Sequence, residues 1–154
     1  MKKSFSLQPL LNLAQHQNDS ATLKLGQLNT QEHNEQGKLE TLQQYRKDYQ
    51  ARLNEATQNG IDQTQLRNFH EFINKIDEAI SQQLKMVGKS KASTQVGRRE
   101  FDSARRKLKS FDTLQQRHIK TQKKIAEKSE QITLDEHAGR SASCKTIDAE
   151  EHNK

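Results

Sequence analysis

The chain has 154 residues, 30% of them hydrophobic and 30% charged, with a formal net charge of +6. Globular domains draw on about 45–50% apolar residues, so a rounded core and a sheet-based enzyme fold are excluded. One Pro, six Gly, no Trp and 19 Gln leave one economical option, long helices that bury a narrow stripe.

The first helix is predicted over residues 6–58. Ser6 suits its N-cap, and Pro9 then falls in the first turn, where a missing N–H does no harm. Steps of four and three residues from Leu7 reach Leu11, Ala14, Asn18, Ala21, Leu25, Leu28, Glu32, Glu35, Leu39, Leu42, Arg46, Tyr49, Leu53 and Ala56. Eleven of these 15 positions are apolar, and a 3.5-residue repeat held this long specifies a coiled coil. A turn is expected at 59–64, with Gly60 in the left-handed position past a helix end and Asp62 and Gln65 spaced as a capping box.

A second helix, 65–135, keeps the register through Leu66, Phe69, Ile73, Ile76, Ile80, Gln83, Val87, Ser90, Thr94, Gly97, Phe101, Ala104, Leu108 and Phe111. Beyond that the stripe thins to Gln115, His118, Gln122, Ile125, Ser129 and Ile132. So short a connection makes the helices antiparallel neighbours. The predicted fold is all-α, a long antiparallel two-helix coiled-coil hairpin occupying residues 1–136, with a disordered C-terminal tail at 137–154.

In this hairpin residue i faces roughly residue 121 − i, and each arm runs about 75 Å. Leu42 then meets Ala79, Tyr45 meets Ile76, and Tyr49 meets Phe72. Gly26 and Gly37 fall opposite the stretch that holds Gly88 and Gly97, which predicts a soft waist. Residues after 116 have no partner.

Catalysis finds no support. Six scattered His lack metal-binding spacing, Cys144 is the single Cys, and no phosphate loop or nucleophile motif occurs. Neither a cofactor nor a metal is expected, and the chain is read as not an enzyme. No apolar run could cross a membrane, and no apolar segment follows Lys2-Lys3 to make a secretory leader. A cytoplasmic protein without direct membrane insertion is expected.

Charge is unevenly placed. Residues 85–128 hold 14 Lys and Arg against four acidic residues, whereas residues 4–60 hold five against six. The basic stretch, with Arg98, Arg99, Arg105, Arg106 and Lys107, admits three readings. It can be a solvated face, a nucleic-acid contact lacking interleaved aromatics and any reading motif, or a surface that meets an acidic protein. Near the turn, Leu42, Tyr45, Tyr49, Phe72, Ile76 and Ala79 share one edge, more aromatic bulk than two helices can cover, and so a candidate protein-binding patch.

The run from Lys38 through Leu42, Tyr45 and Tyr49, then Asn59-Gly60-Ile61, then Asn68 through Phe72, Ile73, Ile76 and Ala79, resembles the flagellar export protein FliJ family. Leu10-Leu11, Lys107-Leu108, Leu114, Arg117 and Asp135-Glu136 are also similar to that family, so the resemblance covers the chain to about residue 140. It implies a non-enzymatic component of the bacterial flagellar type III protein export apparatus, a hairpin similar to the central stalk of rotary ATPases. It further implies partners: the export ATPase ring, whose assembly it promotes, with the ATPase regulator; the cytoplasmic domain of the membrane export gate; and export chaperones. The implied location is cytoplasmic, peripheral to the inner-membrane apparatus at the flagellar base. Gate binding in the family corresponds to Lys38, Leu42, Tyr45, Tyr49, Phe72, Ile76, Ala79 and Gln83. Lys38 and Gln83 depart from the family pattern, which has other polar residues there. The basic residues Arg98, Arg99, Arg105, Arg106 and Lys107 are the expected ATPase contacts. A monomeric hairpin without nucleic acid is expected; the alternative is a structural coiled coil that dimerises and has no ATPase partner.

Overall fold

The structure, a computed structural model, describes residues 6–151. Two helices account for nearly all of them, α1 at Gln8–Asn59 and α2 at Gln63–Glu151. No strand occurs among the described residues. The Gln8 amide donates to Ser6 Oγ at 3.3 Å, so Ser6 caps α1 as expected, with Pro9 in the first turn. Gly60 adopts φ +86° directly after α1, a conformation that costs glycine little. The carbonyl of Asp62 accepts the Leu66 amide at 3.0 Å and opens α2. The turn is therefore residues 60–62, tighter than the 59–64 expected, because both helices close their ends over flanking residues.

The residues form two units, Leu13–Lys107 and Met1–Asn12 with Leu108–Lys154. In Leu13–Lys107 the helices pack antiparallel. Ala14, Leu39 and Leu53 of α1 and Ile73, Ile76 and Val87 of α2 are buried. Every other register position expected in this unit is buried or half-buried. Cross-helix contacts stay within four positions of the expected pairing. They include Tyr49 with Phe72, Arg46 with Asp77, Thr94 Oγ1 donating to the Leu28 carbonyl at 3.4 Å, and Lys24 with Glu100 at 3.1 Å.

The middle of this unit is built from small and polar residues. Ser90 and Thr94 are buried, and Thr94 Oγ1 also donates to the Ser90 carbonyl at 2.9 Å, which satisfies the hydroxyl. Gly97 is buried too, and a Cβ there would stand 2.5 Å from Leu28 Cδ1. Gly97 thus serves a close helix approach, whereas Gly26, Gly37 and Gly88 face open space. Of the four glycines expected to soften a waist, one is a packing requirement.

In the other unit Leu7, Leu11, Leu108 and Phe111 are half-buried, and Gln115 Nε2 donates to Gln8 Oε1 at 3.0 Å. Side chains at 116–149 are all exposed, Ile119, Ile125 and Ile132 included. The second helix does not stop at 135; it continues to Glu151. Residues 137–151, expected as disordered tail, carry helical backbone because no Pro breaks it. That stretch has local bonds such as Thr146 Oγ1 to the Ser143 carbonyl at 2.7 Å, and its side chains at 137–149 are exposed. Residues 152–154 of the expected tail lie outside the described residues.

Candidate functional site

The candidate surface lies in the Leu13–Lys107 unit, where the expected pairing sets Lys38 against Gln83, Leu42 against Ala79, Tyr45 against Ile76 and Tyr49 against Phe72; of these pairs the structure records the Tyr49–Phe72 contact. They follow the seam at the spacing of one coiled-coil layer after another. Tyr49 and Phe72 stack tilted with centroids 4.4 Å apart. Tyr45 stands edge-on to Phe72 at 6.1 Å and 6.2 Å from Tyr49, one helical turn away. Phe69 joins the cluster 5.4 Å from Tyr49, although sequence pairing placed it only in the seam.

Exposure separates the members. Tyr45 is 50% exposed and is the outermost ring, while Leu42, Tyr49, Phe72 and Ala79 are half-buried. Ile76 is 5% exposed: it supports the surface from within the seam and cannot be touched directly. A half-exposed Tyr anchored on half-buried rings is preorganised, so it costs a partner little side-chain entropy.

Two polar contacts frame these rings, and sequence reading missed both. On one side Arg46 and Asp77 form an ion pair, with Arg46 Nη2 to Asp77 Oδ2 at 3.4 Å. The hydrogen bond and charge of Asp77 raise the Arg46 pKa above its ordinary value. On the other side Gln83 Nε2 donates to the Glu35 carbonyl at 2.8 Å and to Glu35 Oε2 at 2.7 Å. Lys38 Nζ lies 3.5 Å from Glu35 Oε1. Glu35 is 9% exposed, and its carboxyl is held below the ordinary range by the Gln83 bond first and by Lys38 next. The 121 − i rule carried a signal for both contacts, since 46 and 77, and 35 and 83, fall within three positions of it.

The basic residues Arg98, Arg99, Arg105, Arg106 and Lys107 all lie exposed on α2. Lys24 and Glu100 pair across the helices beside them. A shallow open groove follows α1 past Thr22, Gly26, Thr30, His33 and Gly37. Among the described residues no three His, Cys, Asp or Glu gather where a metal could sit. Nor is any described helix long and apolar enough to cross a membrane.

Comparison with known proteins agrees with the resemblance read from the residues. The family model described as Flagellar FliJ protein matches residues 2–146. The Flagellar FliJ protein of Salmonella typhi is 25% identical over 142 residues, covering 92% of this chain and 97% of its own length. That of Escherichia coli strain K12 is 23% identical over 142 residues with the same coverage. No solved structure matches. A family match over nearly the whole chain leads to one conclusion: the chain belongs to the flagellar FliJ protein family.

Proposed function

We propose that this chain is a non-enzymatic component of the flagellar export apparatus that links the export ATPase to the membrane export gate. The observation that carries the reading is the aromatic strip, in which half-exposed Tyr45 sits on the packed Tyr49, Phe72 and Phe69. The strip, with Lys38, Leu42, Ala79 and Gln83 along it, binds the cytoplasmic domain of the gate protein. Burial of such an anchored aromatic on a partner is a recurrent source of affinity. The chain also promotes assembly of the ATPase ring, meets the ATPase regulator, and escorts export chaperones. It works in the cytoplasm, peripheral to the membrane apparatus.

The exposed cluster Arg98, Arg99, Arg105, Arg106 and Lys107 is the ATPase contact, supported by its local positive charge. Reversing Arg105 and Arg106 to Glu weakens ATPase binding and makes what remains less sensitive to salt. Unchanged affinity would remove the charge from the ATPase contact. For the gate, Tyr45→Ala with Phe72→Ala abolishes binding while circular dichroism stays helical; a collapse of helix content instead would reassign the rings to the core. The test of the whole reading is a titration of the chain into the export ATPase at fixed ATP. A saturating rise in hydrolysis supports assembly of the ring around the chain, and a flat response over a wide range rejects the ATPase link.

A further inference from the structure

Gln83 and Lys38 end the strip, and one buried carboxylate holds both. A primary amide nitrogen carries two hydrogens and accepts nothing. Both hydrogens of Gln83 Nε2 are directed at Glu35, one at its main-chain carbonyl at 2.8 Å and one at Oε2 at 2.7 Å. The opposite amide orientation would set an oxygen against a carbonyl and a carboxylate, so the partners fix the assignment. Glu35 also draws in Lys38 Nζ at 3.5 Å from Oε1. The Lys38 side chain remains 66% exposed, and that of Glu35 only 12%.

We propose that Glu35 is a positioning residue that sets the hydrogen-bonding polarity of this end of the strip. With its donors consumed, Gln83 presents only the carbonyl oxygen Oε1 to an incoming protein. Lys38, anchored through one contact, keeps its remaining N–H groups for an acceptor. The partner surface is therefore specified: a hydrogen-bond donor opposite residue 83, a carboxylate or carbonyl opposite residue 38, and apolar cover for Tyr45 and Phe72. A partner that brings an acceptor to Gln83 meets repulsion, which gives the strip a selectivity its rings cannot supply. The inference rests on the reading of the strip as the gate-binding surface.

The test is calorimetric titration of the full chain with the cytoplasmic domain of the export gate, with helicity followed by circular dichroism. Glu35→Leu and Gln83→Ala each weaken binding about fivefold to tenfold, the size of one lost hydrogen bond to a charged or oriented group. Glu35→Gln, which keeps an acceptor for Gln83 Nε2, stays within about twofold of the parent. In a Lys38→Ala, Gln83→Ala background, Glu35→Leu adds no further loss, because Glu35 acts only through those two side chains. An undiminished loss in that background overturns the positioning role. Where Glu35→Leu loses helicity, Gln83→Met, which removes the amide that Glu35 orients, decides: a loss like that of Gln83→Ala supports the role, and full affinity overturns it. Full affinity of Glu35→Leu beside loss of binding by Tyr45→Ala with Phe72→Ala overturns Glu35 alone and leaves the strip standing. Binding untouched by the double aromatic change removes the strip as the gate surface, and the role of Glu35 with it.

Discussion

A Cβ on Gly97 would stand 2.5 Å from Leu28 Cδ1, whereas one on Gly37 or Gly88 would meet nothing within 4 Å. The same substitution should therefore act oppositely at these positions. Gly37→Ala and Gly88→Ala each gain about 1 kcal/mol of helix propensity and raise the melting temperature by about 3 °C. Gly97→Ala earns the same propensity but must displace a packed methyl, so its melting temperature stays level or falls. Thermal denaturation followed at 222 nm separates the two cases. Ile76→Ala, at a buried seam position, costs about 2–4 kcal/mol, in contrast to substitutions at exposed Leu23 or Ile125, which stay within about 0.5 kcal/mol. Glu35 adds a pH dependence of known sign. Its folded pKa lies below the ordinary 4.5, so the contribution is complete above that value and is lost as pH falls through the folded pKa. Melting curves of the parent should drop more steeply than those of Glu35→Gln below about pH 4.5 and run parallel to them near neutrality.

At the scale of the helices, the register was legible because one simple constraint governs it. Two antiparallel helices can share only one seam, and the four-three step from Leu7 to Phe111 marked residues that are all buried or half-buried. Even the polar positions Asn18, Glu32, Glu35, Ser90 and Thr94 fell inside it. Their apolar neighbours enforce the phase whatever stands between them. The aromatic strip was legible for the same reason, since pairing alone brought Tyr49 to Phe72. The Glu35 contacts were less so, because they turn on which way an amide and a carboxylate rotate once the seam closes. The helical backbone of α2 runs past residue 135 to Glu151, where no proline stops it and local hydrogen bonds alone carry it. Arg46 and Asp77 pair across the helices near the turn, and both are partly exposed, so exchanging them as Arg46→Asp with Asp77→Arg should change stability by less than about 1 kcal/mol. Asp77→Arg alone places like charges together and lowers the melting temperature more than the exchange does. Equal melting of the single and double variants would deny the pair any role in stability.

At the scale of the whole chain, the turn at Gly60 lets α1 and α2 of one copy pack on each other within the Leu13–Lys107 unit, which predicts a monomer. Sedimentation equilibrium should return the 17.8 kDa of one chain, independent of concentration; a mass of two chains would favour the dimerising alternative. The contrast between α2 before and after residue 115 has a further consequence, in susceptibility to cutting. Arg98, Arg105 and Lys109 are exposed, and so are Arg117, Lys123 and Lys128. A protease, however, needs an extended segment of backbone, and exposure of a side chain does not provide one. Before residue 115, opening the backbone must break the seam with α1; after it, only a few helical hydrogen bonds stand in the way. Brief trypsin treatment should therefore trim the chain from its C-terminal end and leave a resistant fragment ending close to Arg117, with the equally basic bonds at 98–109 intact.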